Sequence, residues 1–247
     1  MKKTKDYFLE YLDSDKCPKA LDFYKEYWYK TLGNTINFIL YGGECIFTFK
    51  TIAGCYIRCL PGFVFPDDDY EGRLDYITNK RSDVEPYERY LFKRFFEVGN
   101  TRANFMPLPK PKPSLPAYSL NMIKGNANGP YNDFPDLFYK DWLGGKLTNV
   151  LSYQSNKEYY QKFDGGKWDS FIRYNYLDDL FTDDTFSICK QVAPDSSIKM
   201  PFNKTSLSKM NNNDKLLCRK YICCHFLPTA IEILEKRAER LSAITAN

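Results

Sequence analysis

Apolar residues recur along this chain of 247 residues with two different periods. In CPKALDFYKEYWYKTLG (17–33), Leu21, Tyr24, Trp28 and Leu32 keep the three-to-four spacing of one helical face. Pro18 suits a first turn, where its missing N–H costs nothing, and Gly33 can take the left-handed conformation that ends a helix. Residues 5–13 read as a short helix or a loose lead-in. The period then falls to two. TINFILY (35–41) and CIFTFKTI (45–52) are rich in β-branched and aromatic residues. With Gly42 and Gly43 between them, they predict a β-hairpin. CYIRCL (55–60) and FVFP (63–66) continue the extended character, interrupted by Pro61 and Gly62.

Residues 67–83 are polar and turn-rich and read as a surface loop. Glu85-Pro86 opens a helix whose buried stripe is read as Tyr87, Tyr90, Leu91, Phe95 and Val98. Gly99 ends it, and Arg89, Lys93 and Arg94 are its solvated charges. Five prolines between Pro107 and Pro116 exclude a helix or a central strand, so 107–116 reads as a stiff connector or exposed loop. AYSLNMI (117–123) and SIKMPF (197–202) read as strands. Helices are expected at 133–145, at 155–166 with Ser155 as cap and Gly165-Gly166 as stop, and at 168–181. The last of these places Phe171, Tyr174, Leu177, Leu180 and Phe181 on one face. The C-terminus is helical on both sides of Pro228, with Ile231, Leu234, Ala238 and Leu241 inward. There is no internal repeat. The order predicts an α+β fold: a mixed or antiparallel sheet mostly from the first half, packed with helices mostly from the second. The chain reads as one domain over 1–247, with a Pro-rich loop at 107–116 and a helical C-terminal extension at 211–247.

Composition adjusts this picture only a little. Apolar residues make up 43%, an ordinary value, but aromatics reach 17%, which predicts an aromatic-rich core. An AT-rich genome gives the same excess, and a base-stacking surface is the functional alternative. The net charge of +4 is too small to argue for nucleic acid by itself. It is unevenly spread: 130–195 carry 7 basic and 11 acidic side chains, and 199–247 carry 9 basic and 4 acidic. Internal pairing and an external partner explain that split equally well. MKKTKDYFLEYLD has no apolar stretch of a signal peptide, and no run reaches the ~20 apolar residues of a membrane span. The expectation is therefore a cytoplasmic chain with no membrane partner, whose eight cysteines are reduced.

Candidate chemistry is sparse. Cys55 and Cys59, and Cys218, Cys223, Cys224 and His225, lack the paired spacing of a zinc site, so no metal and no cofactor is expected there. SLNMIKGNANGPYNDFPDLF (119–138) has the outline of strand, turn and helix that cradles phosphate in other proteins. It lacks the Lys-Ser/Thr ending of a nucleotide loop, and Pro130 removes one N–H that would face an anion. Gly and Asn both tolerate positive φ, so a plain turn is the competing reading. If it is a site, Lys124, Asn126 and Asn128 line it. Asp178, Asp179, Asp183 and Asp184 could hold Mg²⁺, or cap a helix end and face water. No nucleophile elbow accompanies the single histidine.

CPKALDFYKEYWYKTLGNTINFIL resembles the opening of a bacterial protein family of unknown function, whose pattern is Ser-Pro-x-Leu-x4-Leu-Leu-Trp-Ser-Lys-x-Leu. Pro18, Trp28, Lys30 and Leu32 stand at the matching positions. NTRANFMPLP, LNMIKGNANG, FIRYNYLDDLF and SIKMPFN are similar, in order, to that family's later strand, turn, helix and strand, so the resemblance spans about residues 5–205. The family's turn arginine is absent, with Ala127 and Asn128 in its region. The resemblance implies a bacterial, single-domain protein and no particular activity. Two function classes follow. One is a non-catalytic intracellular binding protein for a protein partner or nucleic acid, using Lys110, Lys112 and the basic C-terminal helices. The other is an enzyme acting on a nucleotide or phosphate ester near 119–138.

Overall fold

The structure, a computed structural model, describes residues 22–23, 26–27, 40–41, 44–45, 47–51, 75, 79–99, 101–109, 160–181, 183–186 and 211–245. Helix dominates these residues, and the strands form two short antiparallel ladders of two strands each. A larger sheet from the first half is not among the described residues. Outside them lie the expected helices at 5–13 and 133–145, the expected strands at 55–60, 63–66, 117–123 and 197–202, and Ser155.

β1 (Leu40–Tyr41) and β2 (Glu44–Cys45) pair with Leu40 opposite Cys45 and Tyr41 opposite Glu44. Gly42 and Gly43 themselves lie outside the described residues. β3 (Phe47–Thr51) pairs antiparallel with β4 (Phe105–Pro109). The expected loop at 107–116 therefore gives way at its first three residues, which are strand; residues 110–116 lie outside the described set. Pro107 and Pro109 are two apart, opposite Phe49 and Phe47, so both ring nitrogens face the same edge of β4. An antiparallel ladder uses the N–H of every second residue, and a two-stranded ladder has a free edge for the rest.

α1 (Pro86–Gly99) begins as the sequence suggests, with Pro86 in its first turn. Glu88 reaches back so that its Oε2 accepts the Glu85 N–H at 3.0 Å, which is the backbone half of a capping box. The helix ends on side chains: Thr101 Oγ1 donates to the Val98 carbonyl and Asn104 Nδ2 to the Gly99 carbonyl, both at 2.7 Å. A Cβ at Gly99 would stand 3.1 Å from the Phe95 ring, a tight contact that the ring would have to yield to. The buried stripe differs from the expected one. Leu91 and Phe95 are inside as read, joined by Glu88, Phe92, Phe96 and Gly99, while Tyr87 and Tyr90 face outward and Val98 is half-buried. Turning the helix this way buries four wholly apolar side chains and leaves the tyrosine hydroxyls in water.

α2 (Trp168–Tyr174) is shorter than the helix read over 168–181. Its end satisfies the last carbonyls in a Schellman arrangement: the Tyr176 N–H donates to the Arg173 carbonyl and the Leu177 N–H to the Ile172 carbonyl. Tyr176 takes the left-handed conformation (φ 51°) that glycine usually fills, and buried Leu177 and Ile172 supply the accompanying apolar pair. A 3-10 turn, Asp178–Leu180, follows. Phe171, Leu177, Leu180 and Phe181 are buried although one helix does not carry them all. Gly165 and Gly166, both at positive φ, end the preceding turn of helix, as expected of that pair. In this region Phe163 packs edge-on against Phe171 at 5.1 Å between ring centres, and Trp168 stacks on Phe171 at 5.8 Å. Trp168 Nε1 donates to the Phe186 carbonyl at 3.0 Å, which satisfies the one polar atom of a buried indole.

α3 (Asn212–Tyr221), a π turn (Ile222–Phe226) and α4 (Leu227–Thr245) run on as one helical stretch. Pro228 has no N–H for the carbonyl four residues back, and the register widens to π just before it. The stretch expected as an extension supplies the centre of the described core. α4 packs on α1, on the π turn, on the 3-10 turn Arg102–Asn104 and on the turn at 178–180. Ile231, Leu234 and Leu241 face inward as read; Ala238 is half-buried, and Leu227, Ala230 and Ile233 are buried with them. In the N-terminal region Phe23 and Tyr27, one turn apart, are buried on helical backbone, while the expected face at 21, 24, 28 and 32 lies outside the described residues. Within the polar stretch 67–83, Asp75, Asn79 and Lys80 are helical and not loop. Both Asn79 (2.7 Å) and Lys80 (3.2 Å) contact the Asp75 carboxylate.

Candidate functional site

Three clusters of charged residues and one exposed face are the candidates. The first centres on Arg237, which is 1% exposed at the middle of α4. Its Nε donates to the Asn175 carbonyl at 3.0 Å. Its Nη1 meets the carbonyls of Arg102, Ala103 and Phe105 at 3.3, 2.6 and 2.9 Å. No carboxylate among the described residues pairs with it. A guanidinium can be buried on carbonyl dipoles alone when enough of them converge, and here the 3-10 turn leading into β4 turns three toward one point. The contacts tie the end of α2 to the start of β4 through α4. The role is architectural.

Arg240 lies one turn further along α4. Its Nη1 grips both oxygens of Asp178 at 2.5 and 2.6 Å, and its Nη2 lies 2.6 Å from Asp179 Oδ2. The second contact is an ion pair out of line for a hydrogen bond. The carboxylates singled out as possible metal ligands are thus bound to an arginine in the case of Asp178 and Asp179. Asp183 accepts the Thr185 hydroxyl, and Asp184 is exposed. No group of three or more metal-ligating side chains converges among the described residues.

The third cluster joins α1 and α3. Arg219 Nε donates to Glu88 Oε1 at 3.2 Å and its Nη1 to Asp83 Oδ2 at 2.9 Å. Arg81 holds the same Asp83 carboxylate with two bonds, at 2.6 and 2.7 Å. The Arg81 bonds, reinforced by the charge of Arg219, keep the Asp83 carboxyl well below the usual carboxylate range. Cys223 faces inward beside Glu88; burial first, then the Glu88 charge, pushes its thiol up to about 12. A thiol so shifted is neutral and unreactive at pH 7. Cys224 and His225 are exposed, and Cys223 and Cys224 are free thiols. Cys55, Cys59 and the site residues Lys124, Asn126 and Asn128 lie outside the described residues, as does the whole of 119–138.

The exposed face belongs to α1. Tyr87 and Tyr90 are 58% and 62% exposed, one turn apart, with exposed Lys93 a further turn on. Arg94 beside them pairs with Glu235 of α4 and with Glu97 at 3.4 Å. Residues three apart on a helix are neighbours, so Tyr87, Tyr90 and Lys93 form one row. Sequence reading missed the row because a tyrosine at helical spacing counts equally as core. It missed Arg237 because a lone arginine looks solvated. Comparison of the chain with protein-family models, with curated proteins and with solved structures finds no match.

Proposed function

We propose that this chain is a non-catalytic, intracellular bacterial protein that binds a protein partner through the outer face of α1. The observation that carries this reading is the exposure of Tyr87 and Tyr90 on one helix face, where Phe92, Phe95 and Phe96 of the same helix are buried. Tyrosine offers a large, stiff, amphipathic surface at small entropic cost and is enriched among residues that dominate binding energy. The helix beneath is capped at both ends, so the face is already rigid before a partner arrives. A protein is favoured over nucleic acid because the basic C-terminal helices turn their arginines inward. Arg219, Arg237 and Arg240 are engaged with Glu88, with backbone carbonyls and with Asp178. The intracellular assignment is supported by the free thiols and by the lack, among the described residues, of a helix long and apolar enough to cross a membrane. The β3–β4 ladder supports the sheet of an α+β fold built out from the first half.

The test uses the full chain as bait in its native cells, beside the Tyr87→Ala/Tyr90→Ala double variant. A specific protein should co-purify with the wild type and fall by about tenfold or more with the variant, the loss expected of hot-spot residues. The melting temperature should stay unchanged, since both rings are outside the core. Equal recovery on both baits overturns the reading.

A further inference from the structure

We infer that the partner of this face is a second copy of the same chain, its row from Tyr87 to Lys93 lying antiparallel on the first. The inference rests on α1 being the docking face. Its support is that the row is its own complement. Tyr87, Tyr90 and Lys93 follow one another at intervals of three residues on helical backbone, so Tyr87 and Lys93 stand equally far from Tyr90. A two-fold axis at Tyr90 then sets each Lys93 on Tyr87 of the other copy and the two Tyr90 rings beside each other. An ammonium over a tyrosine face is attracted by the negative face of the ring, and offset tyrosine rings pack well on one another. A parallel row would instead bring the two ammonium groups together. The charges nearby select no other partner. Arg94 is shared by Glu97 and Glu235, and exposed Glu85 precedes the row, so Lys93 is not part of a positive patch. Lys93 is exposed and pairs with no carboxylate among the described residues. Tyr87 and Tyr90, 58% and 62% exposed, offer roughly 200–300 Å² of surface per copy. That is well below the ~800 Å² per partner of a standard interface, so the dimer is weak and dissociates on dilution.

Sedimentation velocity of the full chain from about 1 μM to about 1 mM, the range in which weak interfaces dissociate, tests this. The wild type should pass from monomer to dimer. Tyr87→Ala/Tyr90→Ala should weaken the dimer about tenfold or more and Lys93→Met less, while Lys93→Arg should keep it. Coupling gives the sharpest readout. Tyr87 and Lys93 are about 9 Å apart along one helix, too far to act on each other, but they meet across the two-fold axis. Tyr87→Ala and Lys93→Met should therefore be non-additive in the dimerisation constant, the double variant losing little more than the worse single one. A chain that stays monomeric throughout overturns the inference, and the docking face then stands if the bait still loses some other protein with the tyrosine variant. A dimer in which the two losses simply add also overturns it. A dimer that the tyrosine variant leaves intact, with equal recovery of protein on both baits, overturns both. Circular dichroism of each variant keeps loss of fold separate from loss of association.

Discussion

The α1–α4 region and the 160–186 region fill their interiors by different means. α1 and α4 are long helices that meet through apolar stripes, chiefly aliphatic on α4 and phenylalanine on α1. The 160–186 region has one helix of 7 residues and relies on turns that aim aromatic rings at a common centre. The first is specified by periodicity and the second by the shapes of a few large side chains. Two polar joints link them, and a third ties the N-terminal region to 160–186. These are Arg237 on the Asn175 carbonyl, Arg240 on Asp178 and Asp179, and the Tyr27 hydroxyl on the Tyr174 carbonyl. A region held by aromatic shape should tolerate truncation worst. A joint made to carbonyls should ignore salt, and a joint made to carboxylates should not.

The largest effect is expected inside the aromatic region. Phe171→Ala removes a fully buried ring that touches Tyr160, Phe163 and Trp168, and should cost about 3–5 kcal/mol in urea unfolding. Hydrogen exchange should then quicken over 160–186 before it quickens in α1. Equal loss of protection in both would mean that the two regions are one cooperative unit, and the comparison would fail. Next comes the joint to carbonyls. Arg237→Met strips the donors from four carbonyls and should cost about 3 kcal/mol, with Arg237→Lys recovering part of it. The cost should be the same in 1 M salt as in dilute buffer. A loss under about 1 kcal/mol would show that water replaces the guanidinium there.

Arg240→Gln sharpens the contrast. Its partners are carboxylates and its side chain is 36% exposed, so the loss should be about 0.5–1 kcal/mol and should shrink at high salt. A loss indifferent to salt would put Arg240 in the same class as Arg237. The smallest effect concerns acid. The Asp83 carboxyl is held below its unfolded value, so its contribution is present above the unfolded range near pH 4 and is lost as pH falls toward the folded value. Its side chain is half exposed, so solvent screening keeps that contribution small. Asp83→Asn should flatten the fall of the urea midpoint between about pH 5 and pH 2, where this carboxylate is linked to folding. An unchanged slope would assign the acid sensitivity to other carboxylates.

Local chemistry made several features of the fold legible in advance. The extended runs around Gly42-Gly43 announced the pairing of Leu40–Tyr41 with Glu44–Cys45, though 47–51 of the second run pairs with 105–109 and not with the first; Pro86 announced the start of α1, and Gly165-Gly166 the end of a helical turn. Each of these depends on backbone preference within a few residues, which the sequence states directly. The strand at β4 was obscured because proline counts against a strand unless the partner's side of the ladder is known. The helix read over 168–181 had four of its five inward residues right, with Tyr174 only half-buried, but the wrong backbone, since Tyr176 takes a conformation that its residue type does not advertise. The acidic run looked like a ligand set because its counter-charge, Arg240, lies 62 residues away in sequence.

What the sequence alone determined is the kind of local structure: where helices begin, which loops turn tightly, and that the interior is rich in aromatic rings. Only the tertiary structure decided which side of α1 is buried, that Arg237 is inside while Tyr87 and Tyr90 are outside, and that Asp178 and Asp179 answer an arginine. The physical reason is range. Backbone preference acts over a few residues, whereas the burial of a charge or the exposure of a ring depends on what distant segments bring within a few ångströms of it.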